Sequence, residues 1–341
     1  MSVAASMKLA MVHGVNDVRL DDVPVPVPGP NDVVVRVAVC GICGSDLGYA
    51  RAGGLPLGTG EPLPLGHEFS GMIDSVGSAV TKYQSGQRVI VNPTSIANNI
   101  GVGGPGGFAS HILVREAEEP GTLLIMPDGL SFENAALTEP LSVALHGVNR
   151  SGANSTSRVV VFGAGPIGLG VTAMLRLRGV ADIVVVDRVD SRLERAKAMG
   201  ADAVFNPDSC DLWAEIGARH GRDNVYGQPV VNSDQFIEVS GAAPVVPAII
   251  ENCRFGAHLT IVAVHHEPVM VSFAMALAKE LVITMAMAYP NEFGEVLGLL
   301  ADGRIDTRDY VSHTFPFSQF ETAFEVAAQP EVAAKVLVTF P

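Results

Sequence analysis

Three short segments of the chain carry side chains of the types that bind zinc. They contain Cys40 and Cys43, the pair His67-Glu68, and Glu139. Thiolate, imidazole and carboxylate groups are zinc ligands, and a catalytic site uses three protein ligands with a fourth position open. There is no second C-x-x-C pair for a zinc ribbon, and the Cys40–Cys43 pair does not open a helix of a βαβ unit, as a redox pair would. A catalytic zinc site is therefore favoured.

A glycine-rich segment could bind a dinucleotide. It follows an apolar run, Arg158–Phe162, and leads into a helix. A G-x-G-x-x-G turn in this context lets the backbone approach a pyrophosphate, which then lies at the helix N-terminus. The residues predicted to bind the cofactor here are Gly163, Gly165, Pro166, Ile167 and Gly168.

The choice between NAD and NADP depends on the end of the next strand. Asp187 stands there, and its carboxylate could accept hydrogen bonds from the adenosine ribose and repel a 2′-phosphate. Arg188 follows directly and could instead bind that phosphate, but an acidic residue at the strand end favours NAD over NADP. Arg192 either lies over the adenine or is a solvated charge on a helix.

The zinc-type segments must be positioned by a mainly β region. Residues 8–130 show short β-type runs separated by Gly, Pro and Asn, with no regular helical period between them. The predicted strands are Lys8–His13, Val33–Val39, Phe69–Val76, Arg88–Asn92, Phe108–Val114 and Leu123–Met126.

Glu139 lies where one predicted helix ends and another begins. Ser131 can cap the first helix, with Glu133 in its first turn. Pro140 breaks that helix and suits the first position of the next, which should end near residues 147–152. We therefore expect Glu139 to be extended, at a junction from which its carboxylate points into a cleft.

From Arg158 onward strands alternate with helices, which indicates a parallel, doubly wound sheet. A capping box of Ser191 and Glu194 should start one of the helices. The predicted elements are the strands Arg158–Phe162, Ile183–Val186, Ala203–Phe205, Gln235–Val239, His258–Val264 and Leu281–Ala286, and the helices Pro166–Arg178, Ser191–Met199 and Glu292–Ala301.

The chain should divide into two domains. Its 341 residues exceed the size at which one core usually stops growing. We expect a β-rich catalytic domain of residues 1–150, completed by residues 290–341, and a dinucleotide-binding Rossmann domain of residues 151–289. The last part of the chain would thus return to the first domain.

Composition excludes several classes of partner. The net charge of −14 argues against nucleic acid and anionic membranes, which bind basic surfaces. There is no signal-peptide pattern near Met1 and no apolar run long enough to span a bilayer. Four cysteines are too few for a disulfide framework in a chain of this length, so we expect a reducing compartment, the cytoplasm, and a small-molecule substrate.

The order of these motifs resembles a known family. G-I-C-G-S-D, G-H-E-x-x-G, E-P-L-S-V-A-L-H and G-A-G-P-I-G occur here as in the medium-chain, zinc-dependent alcohol dehydrogenases. The E-P-L-S version resembles the branch of sorbitol, L-idonate, butanediol and threonine dehydrogenases. The resemblance covers nearly the whole chain and implies a GroES-like catalytic domain joined to a Rossmann domain.

The resemblance also implies roles for the metal-site residues. Cys43 and His67 would be zinc ligands, and Cys40 would only pack. Glu68 would bind zinc directly or through water. Glu139 would be either a ligand or the anchor of a zinc-bound water. Asp46 would orient the imidazole ring of His67.

The implied reaction is oxidation of a secondary alcohol to a ketone, or its reverse. Zinc would stabilise the alkoxide, and hydride would pass from the carbinol carbon to NAD. Ser45 would hydrogen-bond the substrate oxygen and begin a proton relay. The branch suggests a polyol, a vicinal diol or an amino alcohol as the substrate.

The sequence departs from the family at two places. The stretch 92–107 lacks the cysteines that hold a second, structural zinc in most relatives, so we expect one zinc per subunit and a short flexible loop. Gly48 stands where many relatives have a histidine that passes the proton to solvent. Tyr49, next to it, either lines the substrate pocket or is a buried aromatic. Assembly as a homodimer or a homotetramer is expected.

Two further groups of histidines have simpler interpretations. His265-His266-Glu267 resembles a metal cluster, but we expect it to end a strand at the cofactor cleft, with one histidine near the nicotinamide. His146 should be a hydrogen-bonded core histidine.

Two alternative functions remain open. One is a zinc-free quinone or enoyl reductase of the same superfamily, and the other is a non-catalytic NAD(H)-binding sensor.

Overall fold

The computed structural model describes residues 5–55 and 60–341. No helix within these two ranges is long and apolar enough to cross a membrane. The strands of the first part are β1 Ser6–Gly14, β2 Asp17–Pro24, β3 Val33–Ile42, β4 Leu63–Pro64, β5 Glu68–Val76, β6 Arg88–Val91, β7 His111–Val114 and β8 Leu123–Ile125. The helices there are α1 Gly44–Ala52, α2 Phe132–Ala136 and α3 Thr138–Ser151.

The remaining elements follow in two groups. The strands are β9 Arg158–Phe162, β10 Asp182–Val186, β11 Ala203–Phe205, β12 Arg222–Val225, β13 Gln228–Val231, β14 Gln235–Glu238, β15 His258–Ile261, β16 Val282–Met285, β17 Val311–Pro316 and β18 Lys335–Thr339. The helices are α4 Pro166–Leu177, α5 Asp190–Ala198, α6 Leu212–His220, α7 Val245–Asn252, α8 Phe273–Ala278, α9 Phe293–Ala301 and α10 Phe320–Ala327, with a 3-10 turn at Phe317–Gln319.

The first β region is built around β3. Its neighbours form a seven-stranded sheet in the order β17-β18-β3-β5-β6-β8, with β7 also paired to β3. Strands β17 and β18 come from the last part of the chain, and Val338 pairs with Cys40. The expected return of the tail to this sheet is therefore observed. A second sheet, β2-β1-β4, packs beside it.

The second β region is a six-stranded parallel sheet in the order β11-β10-β9-β14-β15-β16. Both faces of its central strand are buried, because Val159 and Val161 pack into one apolar cluster and Val160 and Phe162 into another. Helices α3, α4 and α9 contribute to the first cluster, and α7 contributes to the second. The predicted doubly wound parallel sheet is confirmed.

Two local predictions about helices are wrong. Glu139 is not extended, because α3 begins at Thr138 and includes it in the first turn. Pro140 is tolerated there since the N–H groups of a first turn have no partner within the helix. Ser191 does not cap α5, which begins at Asp190, because its hydroxyl donates instead to the carbonyl of Glu331.

Helix α1 was not predicted. Its sequence, GSDLGYARA, contains two glycines and lacks an apolar period. It begins at a backbone cap in which the N–H of Cys43 donates to the carboxylate of Asp46 at 2.9 Å. A polar interaction, rather than an apolar face, therefore defines this helix.

The loop at 92–107 contains backbone hydrogen bonds of its own. The N–H of Ile100 donates to the carbonyl of Pro93 at 3.0 Å, and that of Gly101 to Pro105 at 2.7 Å. Ile100 is buried. A β-carbon on Gly101 would lie 3.0 Å from Nδ1 of His67, so the loop covers this histidine closely.

Candidate active site

The zinc-type side chains meet at one end of the β3–β5 pair. Cys43 follows β3, and His67 and Glu68 stand at the start of β5. Antiparallel pairing sets Gly41 opposite Glu68 and so brings the two segments together. The ligand atoms of Cys43, His67 and Glu68 all lie within 4.8 Å of one another. Tetrahedral zinc, with bonds of about 2.0–2.3 Å, holds its ligand atoms roughly 3–4 Å apart, so one ion could draw in all three.

Asp46 holds the cysteine and histidine segments in place. Its carboxylate accepts hydrogen bonds from the N–H of Cys43 at 2.9 Å and the N–H of Gly66 at 3.1 Å. Burial raises the pKa of Asp46, while His67 and these N–H groups lower it in part. The carboxylate also lies 3.7 Å from Nδ1 of His67. Nδ1 of His67 thus faces Asp46 without a hydrogen bond to any described residue, and Nε2 lies on the opposite side of the ring.

Ser45 stands on that opposite side. Its hydroxyl oxygen lies 3.5 Å from Nε2 of His67. The side chain is half-buried, on the first turn of α1. A hydroxyl in this position can reach a small molecule that approaches the three ligands.

Glu68 has a buried cationic partner that the sequence analysis missed. Nζ of Lys335 lies 2.7 and 2.6 Å from the two carboxylate oxygens and donates to the carbonyl of Ile42 at 3.0 Å. Burial lowers the pKa of Lys335, but Glu68 and Cys43 outweigh it and hold that pKa above its ordinary value. The signal in the sequence was a single lysine within the apolar run of β18.

Glu139 lies next to the cluster, but it is not one of the three side chains within 4.8 Å. Burial raises the pKa of Glu139 to about 7, and His67 acts in the opposite direction. The hydroxyl of Tyr289 lies near this carboxylate and near Thr94. Among the described residues, that hydroxyl makes no hydrogen bond of good geometry. A carboxyl group in this position could contact the metal through a water molecule.

These residues fit a zinc ion. One thiolate, one imidazole and one carboxylate form the three-ligand set of a catalytic site. Asp46 accepts a hydrogen bond from the backbone of Cys43, and Lys335 donates one to the carboxylate of Glu68, so both residues help to hold the ligands in place. Within the described residues, this is the one group of three or more such side chains that could hold a metal.

The glycine-rich turn has the form expected for a dinucleotide site. It joins β9 to α4, and a β-carbon on Gly168 would lie 1.9 Å from the carbonyl oxygen of Gly163, so glycine is required there. Asp187 ends β10, where its carboxylate accepts a hydrogen bond from the N–H of Ala164 at 2.6 Å. It also accepts one from Val189 at 2.9 Å. The acidic group is thus fixed beside the turn.

The two arginines predicted at this site point differently. Arg188 is exposed and pairs with Asp208 at 2.7 Å. Arg192 is half-buried, with its NH1 atom 3.8 Å from where a β-carbon of Gly165 would lie. Burial lowers the pKa of Arg192, and Asp187 raises it. Arg192 therefore lies over the glycine turn and is not a fully solvated charge.

Comparison with known proteins assigns the family. Residues 29–125 match the alcohol dehydrogenase GroES-like domain, and residues 166–302 match the zinc-binding dehydrogenase domain. Human sorbitol dehydrogenase is 33% identical over 330 residues, which cover 92% of this chain and 91% of that protein. The chain belongs to the zinc-binding alcohol dehydrogenase family. The predicted membership and the two-part fold are thereby confirmed.

Solved structures of dehydrogenases agree with this assignment. The 2R,3R-butanediol dehydrogenase of Bacillus subtilis superposes with a TM-score of 0.85 at 30% identity, covering 98% of this chain and 99% of that one. An alcohol dehydrogenase of Escherichia coli CFT073, complexed with NADH, gives a TM-score of 0.86 at 27% identity, with coverage of 99% and 100%. This dehydrogenase therefore shares its whole fold with both.

Other residues singled out in the sequence have simple environments in this dehydrogenase. Cys40 is buried in the β-domain core, as expected. His146 is hydrogen-bonded as predicted, with Nδ1 2.9 Å from Glu292. Tyr49 is half-buried against the same core as Cys40, and burial, followed by Cys43 and Asp46, raises its pKa.

The two neighbouring histidines lie beyond the end of β15, in the following loop, and not on the strand itself. Nε2 of His265 lies 3.0 Å from the buried carboxylate of Glu238, while His266 is exposed. With Glu267 they form no metal cluster in the described part of the chain. The two side chains thus have different surroundings.

Proposed function

We propose that this dehydrogenase oxidises a secondary alcohol with a neighbouring hydroxyl or amino group to a ketone, using one zinc ion and NAD, or runs the reverse. The observation that carries the proposal is that the ligand atoms of Cys43, His67 and Glu68 lie within 4.8 Å of one another. Beside them lies the carboxyl group of Glu139, whose pKa is raised by burial. Sorbitol dehydrogenase and butanediol dehydrogenase are relatives with such substrates in their names.

Each residue of the site has a distinct role in this proposal. Zinc, when bound, supplies a Lewis acid that lowers the pKa of an alcohol. Cys43, His67 and Glu68 would hold the ion, and the Glu139 carboxyl would lie beside it, where a water could join the two. Ser45 accepts the proton of the substrate hydroxyl, since its oxygen faces the ligand side of His67. Asp46 keeps the ring of His67 in orientation, and Tyr49 borders the substrate pocket.

NAD is the proposed cofactor. Asp187 is fixed at the end of β10, where a carboxylate binds ribose hydroxyls and repels a 2′-phosphate. Arg188, which could have favoured NADP, is paired with Asp208. Gly163, Gly165, Pro166, Ile167 and Gly168 would hold the pyrophosphate, with Arg192 above them.

We also propose one zinc per subunit, because the loop at 92–107 contains no cysteine and is closed by its own backbone hydrogen bonds. The catalytic domain would comprise residues 1–150 and 290–341, and the Rossmann domain residues 151–289. The four free thiols support a reducing compartment, the cytoplasm.

A homodimer is the proposed assembly. Strand β16 is the edge of the six-stranded sheet, and Val282, Ile283 and Met285 on it are 40%, 37% and 61% exposed. An apolar sheet edge invites pairing with another strand. A second copy, related by a two-fold axis, would pair its own β16 antiparallel and cover both edges at once.

The test is a measurement of NADH formation with polyols, vicinal diols, simple secondary alcohols and amino alcohols. We expect turnover that a zinc chelator removes, a preference for NAD over NADP, and a zinc content near one per chain. Cys43→Ser should abolish turnover and zinc binding, whereas Cys210→Ser should retain both. Zinc-loaded, NAD-binding protein that is inactive in both directions would contradict the proposal and favour a sensor. Chelator-insensitive reduction of quinones would favour the zinc-free reductase.

A further inference from the structure

The loop after β15 places an imidazole ring against Gly48 of helix α1. A β-carbon at position 48 would lie 3.8 Å from Cε1 and 3.9 Å from Nε2 of His266. These are ordinary van der Waals distances, so a β-carbon alone would fit. A longer side chain at position 48 would start from this contact with the ring. The absence of a side chain on Gly48 thus leaves room for His266.

This position is one helical turn from Ser45. Residues three apart on a helix share a face, with side chains about 5–6 Å apart. The Ser45 hydroxyl lies 3.5 Å from Nε2 of His67 and is half-buried, while His266 is exposed to solvent. Ser45 therefore lies at the candidate zinc site, and His266 lies one helical turn further along α1, on the solvent side.

Oxidation of an alcohol to a ketone releases a hydride and a proton. The hydride goes to NAD, and the proton must leave the buried site. An imidazole is the side chain best suited to exchange a proton with water near neutral pH. Ser45 cannot end the transfer itself, because its hydroxyl can accept a proton only by giving one up.

We propose that His266 is the outer proton acceptor of this reaction, supplied by the nucleotide-binding half of the chain. As the substrate O–H bond breaks, its proton passes to the Ser45 oxygen. The Ser45 proton then passes through one water to Nε2 of His266, and from there to solvent. This inference rests on the proposed function.

The neighbouring histidine is not suited to this role. Nε2 of His265 lies 3.0 Å from the carboxylate of Glu238, and its buried Nδ1 has no hydrogen-bond partner in the described ranges. The other titratable or charged groups on the packed elements are Glu267 in the same loop, and Asp46, Tyr49 and Arg51 on α1. Asp46 is bound to the N–H groups of Cys43 and Gly66, and Arg51 lies along a groove beside Phe320 and Glu321.

The decisive experiment moves the imidazole from one segment to the other. His266→Ala should lower kcat/KM for alcohol oxidation by about 10²-fold, the lower end of the usual effect of acid–base groups. Added imidazole should restore part of it. The double variant His266→Ala/Gly48→His should recover activity and the wild-type pH profile. Glu267→Gln, the matched control in the same loop, should behave like the wild type.

A second measurement does not depend on turnover. In metal-free, cofactor-free protein, deuterium exchange at Cε1–H of each histidine can be followed by mass spectrometry. Gly48→Leu should change the exchange rate at His266 and leave that of His111 unchanged. An unchanged rate at His266 would contradict the contact on which the inference depends.

The outcomes separate the two proposals. If the wild type oxidises alcohols and His266→Ala keeps the same kcat/KM, pH profile and solvent isotope effect, the role of His266 is wrong and the proposed function stands. Failure of the swapped imidazole to restore activity in properly folded, zinc-loaded protein would also overturn the role. If the wild type itself oxidises no alcohol, the proposed function fails first.

Discussion

At the scale of single residues, the buried carboxyl groups of the site differ in whether a cation lies at bonding distance. Glu68 and Lys335 form a nearly inaccessible ion pair next to the candidate ligands. Glu139 has no such cation at bonding distance among the described residues, and burial raises its pKa to about 7. The two carboxyl groups of one site thus differ in their surroundings: Glu68 is paired with a cation, and Glu139 is buried without such a pair among the described residues.

Removing Lys335 should lower the free energy of unfolding, because the buried charge of Glu68 would lose its partner. Lys335→Met leaves the carboxylate of Glu68 buried without its partner, and we expect metal-free protein to lose about 3–5 kcal/mol of unfolding free energy. Urea unfolding measures this. The double variant Glu68→Met/Lys335→Met should lose clearly less, because no unpaired charge remains. An equal loss in both variants would mean that packing, and not charge, explains the effect.

Glu139 should impose a pH dependence on the stability of the metal-free protein. Its folded pKa of about 7 lies above the ordinary value of 4.5, so the folded state binds more protons in this interval. The unfolding free energy should therefore decrease as pH rises from about 4.5 to 7. Urea titrations at the two ends should show a smaller decrease for Glu139→Gln. Identical slopes would rule out this contribution.

At the scale of elements, the buried strands and the long helices were predictable, but helix α1 and the start of α5 were not. Strands such as β9 are continuous apolar runs, which the period and the flanking turns identify. Helix α1 escaped prediction because Asp46, and not an apolar face, organises its start. The helix cap expected at Ser191 does not form, because the Ser191 hydroxyl donates to the carbonyl of Glu331, which is distant in sequence.

The same limit applies to the site itself. The ligand candidates Cys43, His67 and Glu68 could be recognised from motif spacing and do come together. The pairing of Lys335 with Glu68 and the contact of His266 with Gly48 could not, since they depend on the pairing of β18 with β3 and on the path of the loop after β15. Residue types reveal the reacting groups more readily than the groups that support them.

The glycine turn offers a test at this scale. Gly168→Ala would place a β-carbon 1.9 Å from the carbonyl oxygen of Gly163, so backbone must shift. We expect a loss of about 1–3 kcal/mol in unfolding free energy and weaker NADH binding, measured by urea unfolding and NADH fluorescence. Gly298→Ala in α9 has nothing within 4 Å and should gain up to about 1 kcal/mol with unchanged NADH binding. Similar effects of the two substitutions would contradict the steric argument.

At the scale of the whole molecule, the two large sheets differ in the strands that form their edges. The sheet around β3 is extended by β17 and β18 from the last part of the chain, whereas β16 forms an edge of the parallel sheet with exposed apolar side chains. An edge of this kind is a pairing surface. The proposed dimer contact therefore lies on the parallel sheet.

A lysine on this edge should separate the subunits. Met285→Lys places a charge on the apolar surface that the proposed dimer would bury, so we expect the mass measured by light scattering to fall to that of one chain. Val15→Lys, at another exposed apolar residue, is the control and should leave the mass unchanged. A wild-type protein that is monomeric at micromolar concentration would refute the dimer.

The pairing of Glu68 with Lys335 has a consequence for how the protein is made. The two residues are 267 positions apart in the chain. At synthesis rates of about 5–20 residues per second, the carboxylate therefore emerges roughly 15–50 s before the ammonium group that matches it. A nascent chain carries the three zinc-type side chains long before their surroundings are complete. We expect newly made chains to bind zinc weakly until β18 has joined β3, so that metal loading follows translation.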